Sequence, residues 1–404
     1  MATGKGGRRG NWGNGRGGGR CGWELGKGVW MGKGAGEGGT VTGEMGGGGR
    51  HSEGSGRGGG LGAATAMQLK LENLSKENRV LMLTLVFSSL FVVVSAAFLF
   101  RFLKADGDLT LLSKKHVKRD EIEDKVIWIT GASRGIGEVL AKQLAQLGAK
   151  LIISARNEVE LQRVKKQLTG KHAPDEVMIL PLDLTWGEEY LGEAVQKAES
   201  FFGGAGVDYM FHNAAFERPK SMALDVPEES LKATFDVNVL GPISLTKLLL
   251  PHMLKRGRGH FVVMSSAAGK APAPGQAVYS ASKFAVNGYF HTLRSELCRR
   301  GIKVTIVCPG PVKTSASTSE QKGSGEKRVS AERCAELTII AASHGLKEAW
   351  ISYQPVLAVL YLVQYMPTVG YWLMDKIGEK RVEVAAQKGN TYSVGLLFGK
   401  KKES

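Results

Sequence analysis

A glycine-rich run, Thr130-Gly-Ala-Ser-Arg-Gly-Ile-Gly137, limits how this chain can fold more than any other feature. It is entered by the β-rich segment Lys125-Val-Ile-Trp-Ile-Thr130 and left by Ile136 to Leu147, where apolar residues recur at helical spacing. A strand that turns on glycines into a helix is the first unit of a parallel α/β sheet. Gly131, Gly135 and Gly137 allow the tight turn and let a pyrophosphate approach the helix N-terminus. Strands are expected near Val126, Leu151, Val177, Tyr209, Phe261 and Val304, with helices near Val139, Leu161, Ala194, Leu248, Phe284 and Leu337. That alternation predicts a Rossmann-type doubly wound parallel sheet, one domain over residues 124–345. A final strand is expected near Val394.

Downstream, Tyr279 and Lys283 stand four residues apart in Tyr-Ser-Ala-Ser-Lys, so on a helix they share a face. An ammonium there lowers the phenol pKa and makes the tyrosine usable as a proton donor or acceptor near neutral pH. Ser266 ends the apolar run His260-Phe-Val-Val-Met-Ser-Ser, which reads as a buried parallel strand. Open α/β sheets bind ligands at strand carboxyl ends, so a hydroxyl at Ser266 is placed to hold a substrate carbonyl beside the tyrosine.

Together these residues resemble the short-chain dehydrogenase/reductase superfamily, from about Asp124 to the C-terminal tail. The resemblance implies a catalytic tetrad of Asn238, Ser266, Tyr279 and Lys283, and a cofactor loop of Gly131, Ser133, Arg134, Gly135, Ile136 and Gly137. It also implies that Asn213, Tyr279 and Lys283 contact the cofactor. Pro309, Gly310 and Thr314 look like the family's turn over the nicotinamide, and Asp183 is expected by the adenine. One element departs: the family's Asn-Asn-Ala-Gly appears as His212-Asn213-Ala214-Ala215. The Asn213 contact is expected to remain, and the backbone geometry at Ala215 is left open. The flanks Arg101 to Leu112, Leu346 to Pro355 and Gln364 to Pro367 are similar to those of a membrane-anchored member of this superfamily. That likeness implies an NADPH-using carbonyl reductase whose relatives act on steroid, retinoid or xenobiotic carbonyls.

Charge supports NADP(H) over NAD(H). Enzymes that use NAD place an acid near the end of the second strand for the ribose 2′-hydroxyl. Here Lys150-Leu-Ile-Ile-Ser154 runs into Ala155 and Arg156. Arg134 and Arg156 are expected to flank a 2′-phosphate, for which guanidinium geometry is suited.

The rest of the chain is organised around a membrane. Val80 to Phe100 carries no charge and has the length of one spanning helix, with Arg79 and Arg101 at its ends. Residues 80–102 are read as an anchor rather than a cleaved signal, because the stretch is too long and lacks a small-residue cleavage site. Residues 103–123 form a linker, and its Lys114, Lys115, Lys118 and Arg119 favour a cytosolic catalytic domain. The terminal Lys401-Lys402 resembles the dilysine signal of endoplasmic-reticulum membrane proteins, or a solvated basic tail. Within the segment 346–404, Ala349 to Met374 is uncharged and broken by Pro355 and Pro367. It is expected to lie at the membrane interface or in a homodimer contact. Ser, Lys, Glu and Gly between Lys313 and Val329 suit a mobile loop over the substrate.

The first sixty residues hold about half of the 55 glycines and almost no long apolar side chains, so residues 1–66 bury no core. Either Met67 opens the working protein after a misassigned leader, or the arginine-glycine tract is an RNA-binding arm; the first reading is preferred. The net charge of +16 draws on this arm and the tail and is no nucleic-acid footprint of the domain itself. Cys21, Cys298, Cys308 and Cys334 have neither metal-ligand nor disulfide spacing, and Cys308 reads as a core thiol. The expected protein reduces lipophilic carbonyls with NADPH. A dehydrogenase oxidising a lipid alcohol is the nearer alternative, and a tethered binding protein that kept the fold is the farther one.

Overall fold

The computed structural model describes residues 59–217, 220–314 and 327–388. The strand expected near Val394, the Lys401-Lys402 pair, the loop at 315–326 and residues 1–58 of the arm lie outside the described residues. The chain divides into two compact units, Met1–Val80 and Leu81–Ser404.

The strands, in chain order, are β1 (Val126–Thr130), β2 (Lys150–Ser154), β3 (Met178–Ile179), β4 (Tyr209–His212), β5 (Gly259–Met264), β6 (Ile302–Pro309), β7 (Val312–Lys313), β8 (Val329–Ser330) and β9 (Glu348–Ile351). Seven of them form one all-parallel sheet in the order β3-β2-β1-β4-β5-β6-β9, while β7 and β8 pair separately. Every residue of β1, β4 and β5 is buried, as expected where helices cover both faces of a sheet. Sheet order reverses between β1 and β4, and this switch point is where such folds open a ligand crevice.

The helices, in chain order, are α1 (Gly59–Lys104), α2 (Leu109–Leu112), α3 (Gly135–Gln146), α4 (Glu158–Lys166), α5 (Glu188–Phe201), α6 (Glu228–Phe235), α7 (Gly241–Arg256), α8 (Ala277–Leu297), α9 (Ala331–Ser343), α10 (Val356–Tyr365) and α11 (Pro367–Lys388). Leu140 and Leu144 of α3, Leu161 of α4 and Ile340 of α9 fill one core cluster. Leu191 of α5, Leu249 of α7 and Phe290 of α8 fill the other, on the opposite face of the sheet.

Two segments differ from the sequence expectation. The last strand, β9, lies past residue 345 and pairs with β6, Ile306 opposite Glu348 and Cys308 opposite Trp350. The uncharged stretch from Ala349 therefore begins as a sheet strand and continues as α10, with Leu357, Leu360 and Val363 in the core. As far as Val363 it is buried or half-buried, which accounts for its lack of charge there. Pro355 and Pro367 stand at the starts of α10 and α11, where a missing N–H costs little.

The linker is also tied down. Asp108 Oδ1 accepts from the Thr110 and Leu111 N–H at 2.8 and 3.0 Å, while Oδ2 accepts from Trp350 N–H at 2.6 Å. One carboxylate thus caps α2 and fastens it to β9.

Residues Ala66–Lys104 of α1 are long and apolar enough to cross a membrane, and none of the apolar window is buried. The stretch Glu228–Arg256 passes the same length test but is packed into the core.

Candidate active site

The glycine loop is shaped by close backbone approach. Gly131 and Gly135 have φ of +68° and +61°, which L side chains rarely adopt. A Cβ on Gly137 would lie 2.2 Å from the Gly131 carbonyl oxygen and 2.5 Å from Asn213 Nδ2. Gly137→Ala is expected to destabilise the fold by about 1–3 kcal/mol, the usual cost of overpacking. A Cβ on Gly192, inside α5, would meet nothing within 4 Å, so Gly192→Ala should stabilise by roughly 1 kcal/mol. Urea midpoints that move in the same direction for both variants would refute this account.

Asn213 bolts the loop to the sheet. Its Nδ2 donates to Thr130 O at 2.9 Å and Gly131 O at 3.2 Å, and its own N–H donates to Thr130 Oγ1 at 3.2 Å. Asn213 thus ties the glycine loop to the end of β1. Asp124 is the sole non-glycine with positive φ among the described residues, so Ala215 has backbone that any residue adopts. His212, the other departure, is buried, hydrogen-bonds Thr246 Oγ1 at 2.8 Å, and has its pKa pushed down to about 3 by burial. It is a neutral core residue.

The remaining expected positions are each held by local contacts. A Cβ at Gly135 would meet only Thr314 Cγ2, at 3.8 Å, so the turn after β6 faces the glycine loop across a gap. Gly310 N–H donates to Ile351 O at 2.8 Å, and a Cβ there would strike Ser352 Oγ; this seats the turn begun by Pro309 on β9. Ile136 packs into the core cluster beneath the loop. Asp183 Oδ1 accepts from both the N–H and the hydroxyl of Thr185, at 3.0 and 2.9 Å, which fixes its turn after β3.

Arg134 and Arg156 are exposed, and neither guanidinium makes a hydrogen bond or ion pair with a described residue. Arg134 stands at the N-cap of α3 without capping it. The nearby acid Glu138, in the first turn of α3, is already matched: Arg163 donates to it at 2.8 Å and Lys142 at 2.7 Å, and Arg163 holds its pKa below the ordinary range. Arg163 also donates to Ser133 O at 3.0 Å, supporting the loop from behind. These residues suit a dinucleotide: a cradle needing glycine, and two cations without a partner among the described residues at the end where a phosphate would lie.

The four residues expected to form a tetrad gather around α8. Lys283 is buried, its Nζ 5.6 Å from the Tyr279 ring centroid and donating to Met264 O at 2.9 Å. Burial lowers its pKa to about 8, with the Glu217 carboxylate opposing the shift. Met264 ends β5, two residues before Ser266. Ser266 Oγ accepts from Ala268 N–H at 3.1 Å, which leaves its own hydrogen available to a ligand. Asn238 lies in a π-helical turn, Asp236–Leu240, a deviation common at functional sites. Its Oδ1 accepts from Phe216 N–H at 2.7 Å and its Nδ2 donates to Phe216 O at 2.9 Å and Ser282 Oγ at 3.1 Å. Ser282 in turn donates to Tyr279 O at 2.7 Å.

Sequence reasoning passed over Asn287. Its Nδ2 donates to Gly269 O at 2.8 Å, so Lys283 and Asn287 together clasp the turn bearing Ser266 to α8. The spacing was readable: Asn287 lies four residues after Lys283 and eight after Tyr279. A Cβ at Gly269 would lie 2.9 Å from Asn287 Nδ2, so this close approach requires glycine. Beside Tyr279 a small pocket is lined by Ser221, Val226, Thr234, Gly275 and Gln276.

The profile of the short chain dehydrogenase family matches residues 125–325. The chain is 40% identical over 301 residues to human dehydrogenase/reductase SDR family member 7, covering 70% of this chain and 88% of that one. It is 33% identical over 270 residues to a dehydrogenase/reductase SDR family protein 7-like of Drosophila melanogaster, covering 64% and 82%. A solved 3-ketoacyl-(acyl-carrier-protein) reductase from Brucella melitensis, complexed with NADH, is 28% identical with a TM-score of 0.49, covering 55% of this chain and 91% of that one.

Proposed function

The chain belongs to the short-chain dehydrogenase family, and from that premise we propose that it is a membrane-anchored, NADPH-dependent oxidoreductase that reduces carbonyl groups of lipophilic molecules. The observation that carries this reading is the convergence of Ser266, Tyr279 and Lys283, with Lys283 tied to the strand that presents Ser266. When bound, the cofactor supplies the hydride. The protein supplies the rest. Ser266 donates its free hydrogen to the carbonyl oxygen and fixes its position. Tyr279 delivers the proton to that oxygen as negative charge develops there. Lys283, with a pKa lowered to about 8 by burial, stabilises the phenolate and can pass a proton back to it. Asn238 acts through structure: its side chain joins Phe216, in the segment after β4, to Ser282 of α8, three residues after Tyr279.

NADPH is favoured because the end of β2 offers Arg156 and no acid, and Arg134 lies in the glycine loop. The anchor reading is supported by the bare apolar surface of α1. The linker cations and the terminal lysines favour the cytosolic face of the endoplasmic reticulum. The test is a panel of lipophilic ketones and aldehydes given to the purified full chain with NADPH, and the matching alcohols with NADP. NADPH oxidation with at least some carbonyls is expected. Turnover confined to alcohols would select the dehydrogenase alternative, and silence in both directions would leave a tethered binding protein.

A further inference from the structure

The C-terminal end of α1 does not stop at the fold; it runs into a line of aromatic rings. Phe102 packs edge-on against Tyr361 of α10, centroids 5.7 Å apart, and its carbonyl accepts from Gln354 Nε2 at 3.0 Å. Tyr361 stacks on Tyr365 at 6.1 Å with an 18° interplanar angle, its hydroxyl accepting from Leu109 N–H at 3.1 Å. From there the surface stays apolar. Tyr365 is 74% exposed and Trp372 56%, with Met366, Val369 and Tyr371 exposed around them.

These side chains are outward for a packing reason. Gly370 crosses α10 so closely that a Cβ would sit 2.7 Å from Val363 Cα, and Met374 and Ile377 turn into the core. Val369, Trp372 and Lys376, spaced by three and four, therefore share the opposite face of α11. Lys376 Nζ lies 4.6 Å over the Trp372 ring, as Lys104 Nζ lies 4.2 Å over Phe100 at the end of α1. An aromatic body with a lysine at its rim is the arrangement favoured at the headgroup level of a bilayer. Scattered exposed apolar residues need no explanation, but a contiguous patch does.

We propose that the corner between α10 and α11 is a second membrane contact that seats the mouth of the pocket beside Tyr279 on the lipid surface. This rests on reading α1 as the anchor. A bilayer is the occupant argued for because the patch is continuous with the base of α1 through Phe102, Tyr361 and Tyr365. The same helices also border the pocket. Gln364 Nε2 donates to Lys270 O at 2.9 Å, and a Cβ on Gly378 would lie 3.6 Å from Pro274, next to the pocket residues Gly275 and Gln276. A lipophilic carbonyl dissolved in the membrane then reaches Tyr279 without crossing bulk water.

The test uses the full chain in phosphatidylcholine vesicles, with Cys21→Ser and Cys298→Ser so that only buried native thiols remain besides the introduced one. Spin labels are placed through Val369→Cys and Trp372→Cys, with Phe91→Cys on α1 and the exposed Val159→Cys on α4 as references. Collision with oxygen, which concentrates in lipid, is compared with collision with a water-soluble nickel chelate. The expected result is an oxygen-favoured signal at 369 and 372, like that at 91, and a nickel-favoured signal at 159. Nickel preference at 369 and 372 with oxygen preference at 91 overturns this proposal and leaves the anchor standing. Nickel preference at 91 removes the anchor and this proposal together. Labels at 369 and 372 shielded from both agents mark a protein contact, such as a second copy, and overturn it as well.

Discussion

Tyr279→Phe is expected to lower turnover at least about a hundredfold, the low end of what a positioned general acid contributes. NADPH should bind the variant much as it binds the natural chain. The substitution removes one hydroxyl and keeps the ring, so the 5.6 Å approach of Lys283 Nζ to that ring and the Ser282 bond to Tyr279 O survive. A hundredfold corresponds to about 2.7 kcal/mol of transition-state stabilisation. Separate measurement of kcat and of NADPH affinity checks the claim, and an unchanged kcat would remove Tyr279 from proton transfer. The pH profile adds a second reading. Burial places the Lys283 pKa at about 8, so the ammonium that supports Tyr279 is lost as pH rises through that value, and carbonyl reduction should fall there. Stability moves the other way. Between about 8 and the ordinary lysine range the unfolded chain keeps a proton that the folded chain has released, so the fold gains stability as pH rises across that window.

The parts of the site legible in the sequence are those fixed by local geometry. Tyr279 and Lys283 meet because a helix brings residues four apart together, and the glycine loop was readable because its turn and close contacts exclude side chains. What stayed hidden depends on pairing between distant segments. The bond from Trp350 N–H to Asp108 joins residues 242 apart, and nothing near either one signals it. Strand β9 is four residues long and merges into the apolar α10, so periodicity could not separate the two. Asn238 gave its identity but not its geometry: the π-helical turn and the pair of hydrogen bonds with Phe216 depend on how the segment after β4 folds back on the helix.

The cofactor preference carries the other large effect. Arg134→Gln with Arg156→Gln is expected to raise the Michaelis constant for NADPH by about two to four decades. Each charged hydrogen-bonding contact is worth roughly 1.5–3 kcal/mol, and each 1.4 kcal/mol is about tenfold. The constant for NADH should move by less than about threefold, since it has no 2′-phosphate for these groups to meet. Discrimination is what makes this decisive. A general fall in positive charge would weaken both nucleotides through their shared pyrophosphate, whereas loss of a 2′-phosphate contact weakens only one. The variant should fold normally, because neither guanidinium bonds to a described residue and Arg134 does not cap α3. The cation that does support the loop is Arg163, through Glu138 and Ser133 O, and it remains in place. Equal losses for NADPH and NADH would show that the two arginines are solvated surface charges, and the choice of cofactor would then have to be sought elsewhere around the end of β2.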